Sequence, residues 1–358
     1  MHLRVRHITY FQEGSINGID AIVRNINQSL NRLSDVSSEI VSVGQVSLRE
    51  IFSGAFAKLS CDCDLVVFHA VYVWKYWLLW PFLKRNGVPY IIIPHSSLLR
   101  ASHKKGWFRK ALCNEFFIKH FVRSALAVQF NNVPEEQGSV KKWNARYYCV
   151  HNGIERPSSG YWSSKETALA SILDKQTAVF KVLFLGRFDI RHKGLDILVE
   201  QIAAAHEQLI HSGVEFHAYG PNHGNDLQIL SGLIAQRGVG DIINLHGPVK
   251  RTELGQLFLT HDALIMLSRY EGEPMSALEA MSHGLPAILS TGTNIAEEFG
   301  AAGLAVVAGG NLYEDVQKIK TLVNSPGIFN VCRAKFADRD WGVIAAIMLR
   351  EWLALLNK

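Results

Sequence analysis

Two carboxylates in the second half of the chain, Glu271 and Glu279, are separated by seven residues. They follow the apolar run 262–267, which has the length and composition of a buried strand, and the residues from Ser276 onward have the pattern of a helix. Glu271 is therefore expected in the loop at the carboxyl end of a strand, and Glu279 about one turn into the next helix. Both side chains would then face the same crevice.

A site for a diphosphate is predicted beside these carboxylates. The start of a helix presents unpaired backbone N–H groups and a partial positive charge, so the amides near Met275 and Ser276 suit a phosphate. The helix dipole contributes only about 0.3 to 1 kcal/mol for an exposed charge, which is too little to hold a doubly charged group. Fixed cations are expected to assist. The loop 186–194 supplies Arg187, which can bind phosphate oxygens in a two-pronged manner, and Lys193, a compact point charge.

Each of these residues also has a simpler structural explanation. Ser276 and Glu279 have the spacing of a helix capping box. Arg187 could pair with Asp189, and Lys193 could merely begin a solvated helix. Their common position at the mouth of the predicted crevice favours the binding function.

The elements that must position these residues alternate along the whole chain. Short apolar runs that read as buried strands are followed by amphipathic helical stretches, which is the pattern of parallel sheets covered by helices on both faces. The fold class is therefore α/β. The predicted strands are 4–10, 38–42, 65–69, 90–94, 126–130 and 145–150 in the first half, and 181–185, 214–218, 242–246, 262–267, 286–290 and 304–307 in the second.

Two doubly wound domains are predicted from this series. Each half opens with a strand, a glycine-bearing loop and a helix, with Gly18 in the first loop and Gly186 in the second. Open parallel sheets bind ligands at the carboxyl ends of their strands, so two such domains facing each other would form one cleft with the active site in it. The predicted divisions are a first domain over 1–157, a serine-rich linker over 158–175 directly after Pro157, a second domain over 176–335, and a terminal helix within 336–358 that could pack back on the first domain.

Composition excludes several other classes of protein. With 358 residues, 48% of them hydrophobic and 19% charged, the chain can bury two proper cores and lacks the signature of disorder. The formal charge of +5 comes without a long basic run, which disfavours nucleic acid as a partner. Five scattered cysteines without paired spacing indicate a reducing compartment. The N-terminus lacks the apolar core of a signal peptide, and the most hydrophobic stretch, 71–83, is too short to cross a bilayer.

The motifs in the second half resemble those of retaining glycosyltransferase family 4, whose GT-B architecture has two Rossmann-like domains facing a central cleft. Glu271 and Glu279 match its Glu-x7-Glu pattern. Gly186, Arg187, Lys193 and Gly194 match its Gly-Arg to Lys-Gly pattern, and Asn152-Gly153 matches the Asn-Gly that ends the first domain. These matches cover most of the chain in the right order.

The resemblance implies roles for individual residues. Glu279 would bind the donor ribose, Glu271 would contact hydroxyls of the transferred sugar, and Arg187 with Lys193 would neutralise the departing diphosphate. Gly186 and the backbone near Met275 and Ser276 would complete the donor site. From the first domain, which would bind the acceptor, His95 would line the sugar site and Gly18 would approach the donor phosphates. The family usually has a glycine pair where this chain has Asn17 and Gly18, so this loop departs from the pattern.

The activity implied is transfer of a hexose-type sugar, with retention of configuration, from a nucleotide diphosphate sugar to a saccharide or lipid-linked saccharide. A uridine diphosphate donor is expected because it is the commonest in the family. Neither a metal nor another cofactor is expected, since the cations replace a divalent ion. Two alternatives stay open: a catalytically silent nucleotide-sugar-binding partner of another transferase, and a nucleotide-sugar epimerase of the same architecture. A dehydrogenase is disfavoured because no Gly-x-Gly-x-x-Gly loop follows either opening strand.

An association with membranes is a further hypothesis from the sequence. An aromatic cluster over 72–82 precedes the basic stretch 100–110, which contains Trp107 and Phe108. The alternative is a core helix followed by an exposed basic loop. The expected location is therefore cytoplasmic, with peripheral contact at the inner face of the membrane as the hypothesis, and the sequence leaves the oligomeric state open.

Overall fold

Two parallel six-stranded sheets form the frame of the molecule, in the part of the chain that the structure describes. That part of the computed structural model comprises residues 2–10, 18–44, 46–47, 49–50, 62–103, 107–140, 143, 145–173 and 179–357. The chain divides into two compact units, Met1–Gly153 with Asp338–Lys358, and Ile154–Ala337. All twelve strands predicted from the apolar runs are present, with bounds that differ by at most two residues at either end.

The first unit contains a sheet in the order β2-β1-β3-β4-β5-β6. The strands β3 and β4 are buried along their whole length, which is why they read as unbroken apolar runs rather than alternating ones. The strands are β1 Leu3–Thr9, β2 Val36–Ser42, β3 Leu65–His69, β4 Tyr90–Ile93, β5 Ala127–Phe130 and β6 Tyr147–Cys149. The helices are α1 Gly18–Leu30, α2 Trp74–Arg85, α3 Arg100–His103, α4 Trp107–Cys113, α5 Lys119–Arg123 and α6 Val133–Gly138, with a π-helical turn over Asn114–Ile118.

The second unit contains a sheet in the order β12-β11-β10-β7-β8-β9. Apolar side chains cover both faces of this sheet in two separate clusters. The strands are β7 Phe180–Leu185, β8 Val214–Tyr219, β9 Ile243–His246, β10 Ala263–Met266, β11 Ala287–Leu289 and β12 Ala305–Val307. The helices are α7 Ser159–Leu173, α8 Ile190–Lys193, α9 Leu195–Ala204, α10 His206–His211, α11 Asp226–Arg237, α12 Leu254–Leu259, α13 Met275–Ser282, α14 Ala296–Ala301, α15 Leu312–Val323 and α16 Ile328–Lys335.

The segment predicted as a linker over 158–175 has a different structure. Most of it forms the helix α7, which belongs to the second unit. Tyr161 donates a hydrogen bond to the carbonyl of His283 (3.0 Å), and the buried Lys165 ammonium donates to the carbonyls of Phe258 (2.6 Å) and His261 (3.1 Å). Tyr161 and Lys165 are four residues apart and so lie on one face of the helix, a spacing that the serine-rich composition hides.

The chain returns to the first unit at its end. The last helix, α17 Trp341–Leu356, packs against α1, as the apolar spacing of 341–356 allows. Trp352 is fully buried and its indole N–H donates to the hydroxyl of Tyr148 (3.1 Å). Among the described residues, no helix combines the length and the hydropathy needed to span a bilayer.

Candidate active site in the second unit

The order of the second sheet places one crevice at a defined point. The strand β7 lies between β8 and β10. The connection that leaves β7 runs to β8 on one side, and the connection that leaves β10 runs to β11 on the opposite side. In open parallel sheets, ligands bind at this switch point, beyond the carboxyl ends of the strands. The loop after β7 contains Arg187 and Lys193, and the loop after β10 contains Glu271, so the sheet brings both predicted groups to one place.

An ion pair joins these two loops. The Lys193 ammonium lies 2.6 Å from Oε1 of Glu271, and the two side chains are only 14% and 11% exposed. The Ser268 hydroxyl donates to the same oxygen at 2.9 Å, and Nε2 of His192 lies 3.7 Å from it. Burial alone would raise the pKa of Glu271, but the charges of Lys193 and His192 and the two hydrogen bonds outweigh it and lower the pKa. Glu271 is therefore held ionised.

A glycine makes the close approach of the loops possible. Gly194 has φ +66°, and a Cβ at this position would lie 2.0 Å from the carbonyl oxygen of Leu267. Next to it, the amide of Arg269 donates to the carbonyl of His192 (2.9 Å), and the His192 ring stacks on Tyr270 with ring centres 4.4 Å apart. Gly194 thus allows the two loops to pack closely, and Lys193 supplies the charge that pairs with Glu271.

Arg187 is the more accessible of the two predicted cations. Its side chain is 43% exposed, and one guanidinium nitrogen lies 3.3 Å from the carboxylate of Asp189. Asp189 also caps α8 by accepting from the amide of His192 (3.0 Å). An exposed pair of this length is weak, so the guanidinium can leave Asp189 for a stronger anion.

The helix α13 begins in the loop that holds Glu271. Its first residues are Met275 and Ser276, and the residue before it, Pro274, makes no side-chain cap. Because Ser276 lies inside the helix, the capping-box explanation for Ser276 and Glu279 is wrong. The first amides of α13 have no side-chain acceptor from the cap residue, and α13 begins in the connection that leaves the carboxyl end of β10.

Glu279 lines a pocket whose lining residues do not include Glu271. The pocket measures about 250 Å³ and is lined by Tyr161 and Arg251 among others. Arg251 bridges two carboxylates, with one nitrogen 3.4 Å from Glu279 and 3.3 Å from Glu155. Burial raises the pKa of Glu279 to about 7, although the charge of Arg251 acts in the opposite direction. The structure therefore brings Glu279 together with Arg251, a residue that the sequence analysis did not select.

The predicted glycines differ in their surroundings. A Cβ at Gly186 would make ordinary contacts, 3.4 Å from the ring of Phe184 and 3.6 Å from Lys193. The position that requires a glycine is instead Gly220, where a Cβ would lie 1.9 Å from the carbonyl oxygen of Gly186. Gly18 begins α1 of the first unit, where a Cβ would meet no atom within 4 Å, and its predicted companion Asn17 lies outside the described residues.

His95 belongs to a chain of three imidazoles in the first unit. Nε2 of His95 lies 2.9 Å from Nδ1 of His69, whose Nε2 lies 2.9 Å from Nδ1 of His7. Burial lowers the pKa of His95 to about 4 and that of His7 to about 3, and it also lowers the pKa of His69, so all three rings are neutral near pH 7. His95 and Ser96 have φ values of +46° and +64°, an uncommon backbone for residues with a Cβ.

The sequence predicted only one member of this row of three imidazoles. The family resemblance pointed to His95, whereas no motif in the sequence pointed to His7 or His69. The strands β1, β3 and β4 are neighbours in the sheet, so histidines near their carboxyl ends come into line. The signal that could have found these three imidazoles is the recurrence of histidine within or just after three apolar runs.

The sequence of the second unit matches a known family. Residues 179–325 match the family described as glycosyl transferases group 1. This region contains Arg187, Lys193, Glu271 and Glu279. The second unit is a group 1 glycosyltransferase domain. The resemblance drawn from the Glu-x7-Glu and Gly-Arg to Lys-Gly patterns is thereby confirmed.

Curated relatives match only part of the chain. A D-inositol 3-phosphate glycosyltransferase of Arthrobacter sp. (strain FB24) is 31% identical over 109 residues, which are 30% of this chain and 26% of that protein. A second one, of Pseudarthrobacter chlorophenolicus, is 26% identical over 185 residues, 50% of this chain and 44% of that protein. The matches thus span less than half the length of these relatives.

Solved structures extend the similarity of fold to the whole chain. Sucrose-phosphate synthase from Thermosynechococcus elongatus has a TM-score of 0.75 at 16% identity, over 99% of this chain and 100% of that one. Starch synthase IV from Arabidopsis thaliana has a TM-score of 0.69 at 12% identity, over 100% of both chains. WaaG, a glycosyltransferase involved in lipopolysaccharide biosynthesis, has 0.66 at 15% identity, over 96% and 98%. The group 1 domain and the first unit together have the GT-B fold.

Proposed function

We propose that the chain transfers a sugar from a nucleotide diphosphate sugar to a hydroxyl group of a saccharide or lipid-linked saccharide. One observation carries this proposal. In a group 1 domain, the Lys193–Glu271 ion pair joins the segments that follow the neighbouring strands β7 and β10, and these same segments contain Arg187 and the start of α13. This arrangement offers cations and N–H donors for a diphosphate and a fixed carboxylate for sugar hydroxyls.

The proposed reaction breaks the bond between the anomeric carbon and the diphosphate oxygen and forms a bond from that carbon to the acceptor oxygen. The acceptor hydroxyl gives its proton to the departing diphosphate oxygen or to solvent. The diphosphate leaves with the electron pair of the broken bond and so gains negative charge. Stabilising this charge is the main electrostatic task. Arg187, Lys193 and the amides of Met275 and Ser276 are proposed to perform it, which would make the transfer independent of a metal ion.

The carboxylates are proposed to orient the two ends of the donor. Glu271, held ionised by Lys193, accepts hydrogen bonds from hydroxyls of the transferred sugar. Glu279 accepts from the ribose hydroxyls when it is ionised. For His95 we keep the role implied by the resemblance, a hydrogen-bond partner of the sugar. Uridine is the first base to test, and retention of the anomeric configuration is the expected outcome.

Replacing Arg187 with alanine tests the leaving-group assignment. Turnover of the donor is expected to fall about a hundredfold or more, as when one oxyanion donor is lost, while the fold is kept because the side chain is 43% exposed. The measurement is release of nucleotide diphosphate from a panel of nucleotide sugars, with and without saccharide acceptors and with a chelator present. A loss below threefold would contradict the role of Arg187.

The same assay separates the alternatives. A transferase releases nucleotide diphosphate faster with acceptor, and activity that survives the chelator supports metal-independent transfer. An epimerase would change the sugar without needing an acceptor, and a silent binding protein would bind the donor and turn none over.

A further inference from the structure

Positive charge is concentrated in one part of the first unit. Residues 65–134 contain ten Lys and Arg but one acidic residue, Glu115, a formal charge of +9. The remaining 288 residues contain 27 basic and 31 acidic residues, a charge of −4. An asymmetry of this size favours a partner with an anionic surface.

Large apolar side chains are exposed in the same part of the unit. Phe116 is 68% exposed, Leu112 47%, Trp74 45% and Phe117 43%. Trp77 is three residues from Trp74 on α2, and its ring stacks on Phe117 with centres 4.9 Å apart, so that α2 and the π-helical turn form one surface. We call these five residues the aromatic face.

Basic side chains adjoin this aromatic face. Lys84 and Arg85 lie in the last turn of α2, and the Lys84 ammonium lies 5.7 Å from the centre of the Trp80 ring. Lys119 follows the π-helical turn and lies 3.3 Å from Glu115, while Arg123 ends α5. The face thus combines projecting rings with flanking cations and the one acidic side chain of the segment.

We propose that the aromatic face docks this protein on the surface of an anionic lipid bilayer. Aromatic and aliphatic side chains enter the boundary between headgroups and acyl chains, and neighbouring Lys and Arg side chains attract anionic headgroups. A side chain as exposed as Phe116 needs no preformed pocket to enter a soft lipid boundary. The basic stretch 100–110, from which the sequence suggested membrane contact, lies within residues 65–134, although 104–106 are outside the described residues. The proposal does not depend on the transfer reaction, because bilayer binding requires no donor.

Flotation of the full chain with vesicles tests the proposal. The native protein is expected to float with vesicles of phosphatidylcholine mixed with phosphatidylglycerol, to stay behind with phosphatidylcholine alone, and to dissociate in high salt. The double variant Trp74→Ser, Phe116→Ser is expected to lose about tenfold or more in partitioning, because two apolar anchors are removed. The double variant Lys84→Gln, Arg85→Gln should weaken binding to anionic vesicles.

A matched control comes from the second unit. Ile229 on α11 is 57% exposed, so Ile229→Ser removes a comparable exposed apolar side chain from the other unit and should leave flotation unchanged. Nucleotide diphosphate binding by the aromatic-face variant should equal that of the native chain, which shows that its donor site is intact. The proposal is overturned if the native protein ignores anionic vesicles, or if the double variant Trp74→Ser, Phe116→Ser floats as well as the native chain. Light scattering that shows a native dimer dissociated by the same double variant would instead assign the face to a second copy.

Discussion

At the scale of residues, Lys193 and Glu271 depend on each other. They were selected separately from the sequence, as a phosphate ligand and a sugar ligand, and the structure joins them at 2.6 Å. Their direct pairing was not predictable because 78 positions separate them and a sheet crossover brings them together. The ion pair fixes both the charge of Glu271 and the position of the ammonium before any ligand binds.

Breaking this pair should destabilise the protein. Lys193→Met leaves a buried carboxylate without its cation, and the free energy of unfolding is expected to fall by about 3 kcal/mol. The measurement is urea unfolding of the native chain and the variant. The double variant Lys193→Met, Glu271→Gln should recover part of the loss because no uncompensated charge remains. A loss below about 1 kcal/mol in the single variant, as for exposed pairs, would contradict the account.

Glu279 should make nucleotide binding depend on pH. Its pKa lies at about 7 in the folded protein, and the ionised form is the one that accepts from ribose hydroxyls. Affinity for a nucleotide diphosphate is therefore expected to rise as pH increases through 7. The matched variant Glu279→Gln keeps the titration of the phosphate itself but removes that of the carboxyl, so the difference between the two pH profiles isolates Glu279. Identical profiles in calorimetry would refute its role.

The raised pKa of Glu279 also determines how the free energy of unfolding depends on pH. The pKa of Glu279 is raised above its ordinary value of 4.5, so the folded state favours the protonated carboxyl. Its contribution to the free energy of unfolding is fully present below about pH 4.5, falls as pH rises to about 7, and is constant above that. Sequence reasoning could not anticipate this, because the raised pKa follows from the burial of the Glu279 side chain, which outweighs the opposing charge of Arg251.

At the scale of elements, periodicity predicted almost all of the frame. Strands buried on both faces gave unbroken apolar runs, and their bounds came within two residues of the observed ones. The terminal helix predicted within 336–358 is likewise present, as Trp341–Leu356. The error lay in α7, where serine and glycine suggested a linker and a buried lysine anchors a helix instead. The composition of a segment does not reveal that one of its lysines will be buried and hydrogen-bonded to backbone carbonyls.

Gly194 provides a test of how the two loops approach. Gly194→Ala combines a left-handed backbone with a Cβ placed 2.0 Å from the Leu267 carbonyl, so the loops must separate. The control is Gly213→Ala, which has φ +63° and no atom within 4 Å of the added Cβ, and should cost only the backbone strain of about 1 to 2 kcal/mol. Thermal unfolding should show a clearly larger loss for Gly194→Ala. Equal losses at both positions would mean that the loops are not in close contact.

At the scale of the whole molecule, two units share one chain that begins and ends in the first. The sequence predicted both sheets and the terminal helix, and the structure places the boundary after Gly153 rather than after 157. Charge is distributed unevenly along the chain, because residues 65–134 carry the net positive charge. The donor chemistry is proposed for the group 1 domain and bilayer docking for the first unit, so the two proposals can fail separately.

The crevice beyond β7 and β10 is proposed to bind a diphosphate. Isothermal titration calorimetry of the native chain and of Arg187→Gln with uridine, guanosine and adenosine diphosphates tests it directly. We expect at least one of these nucleotides to bind the native chain and to bind the variant about tenfold or more weakly, because a charge-assisted hydrogen-bond donor is lost. Absence of binding by all three, or equal affinity in the native chain and the variant, would contradict the claim.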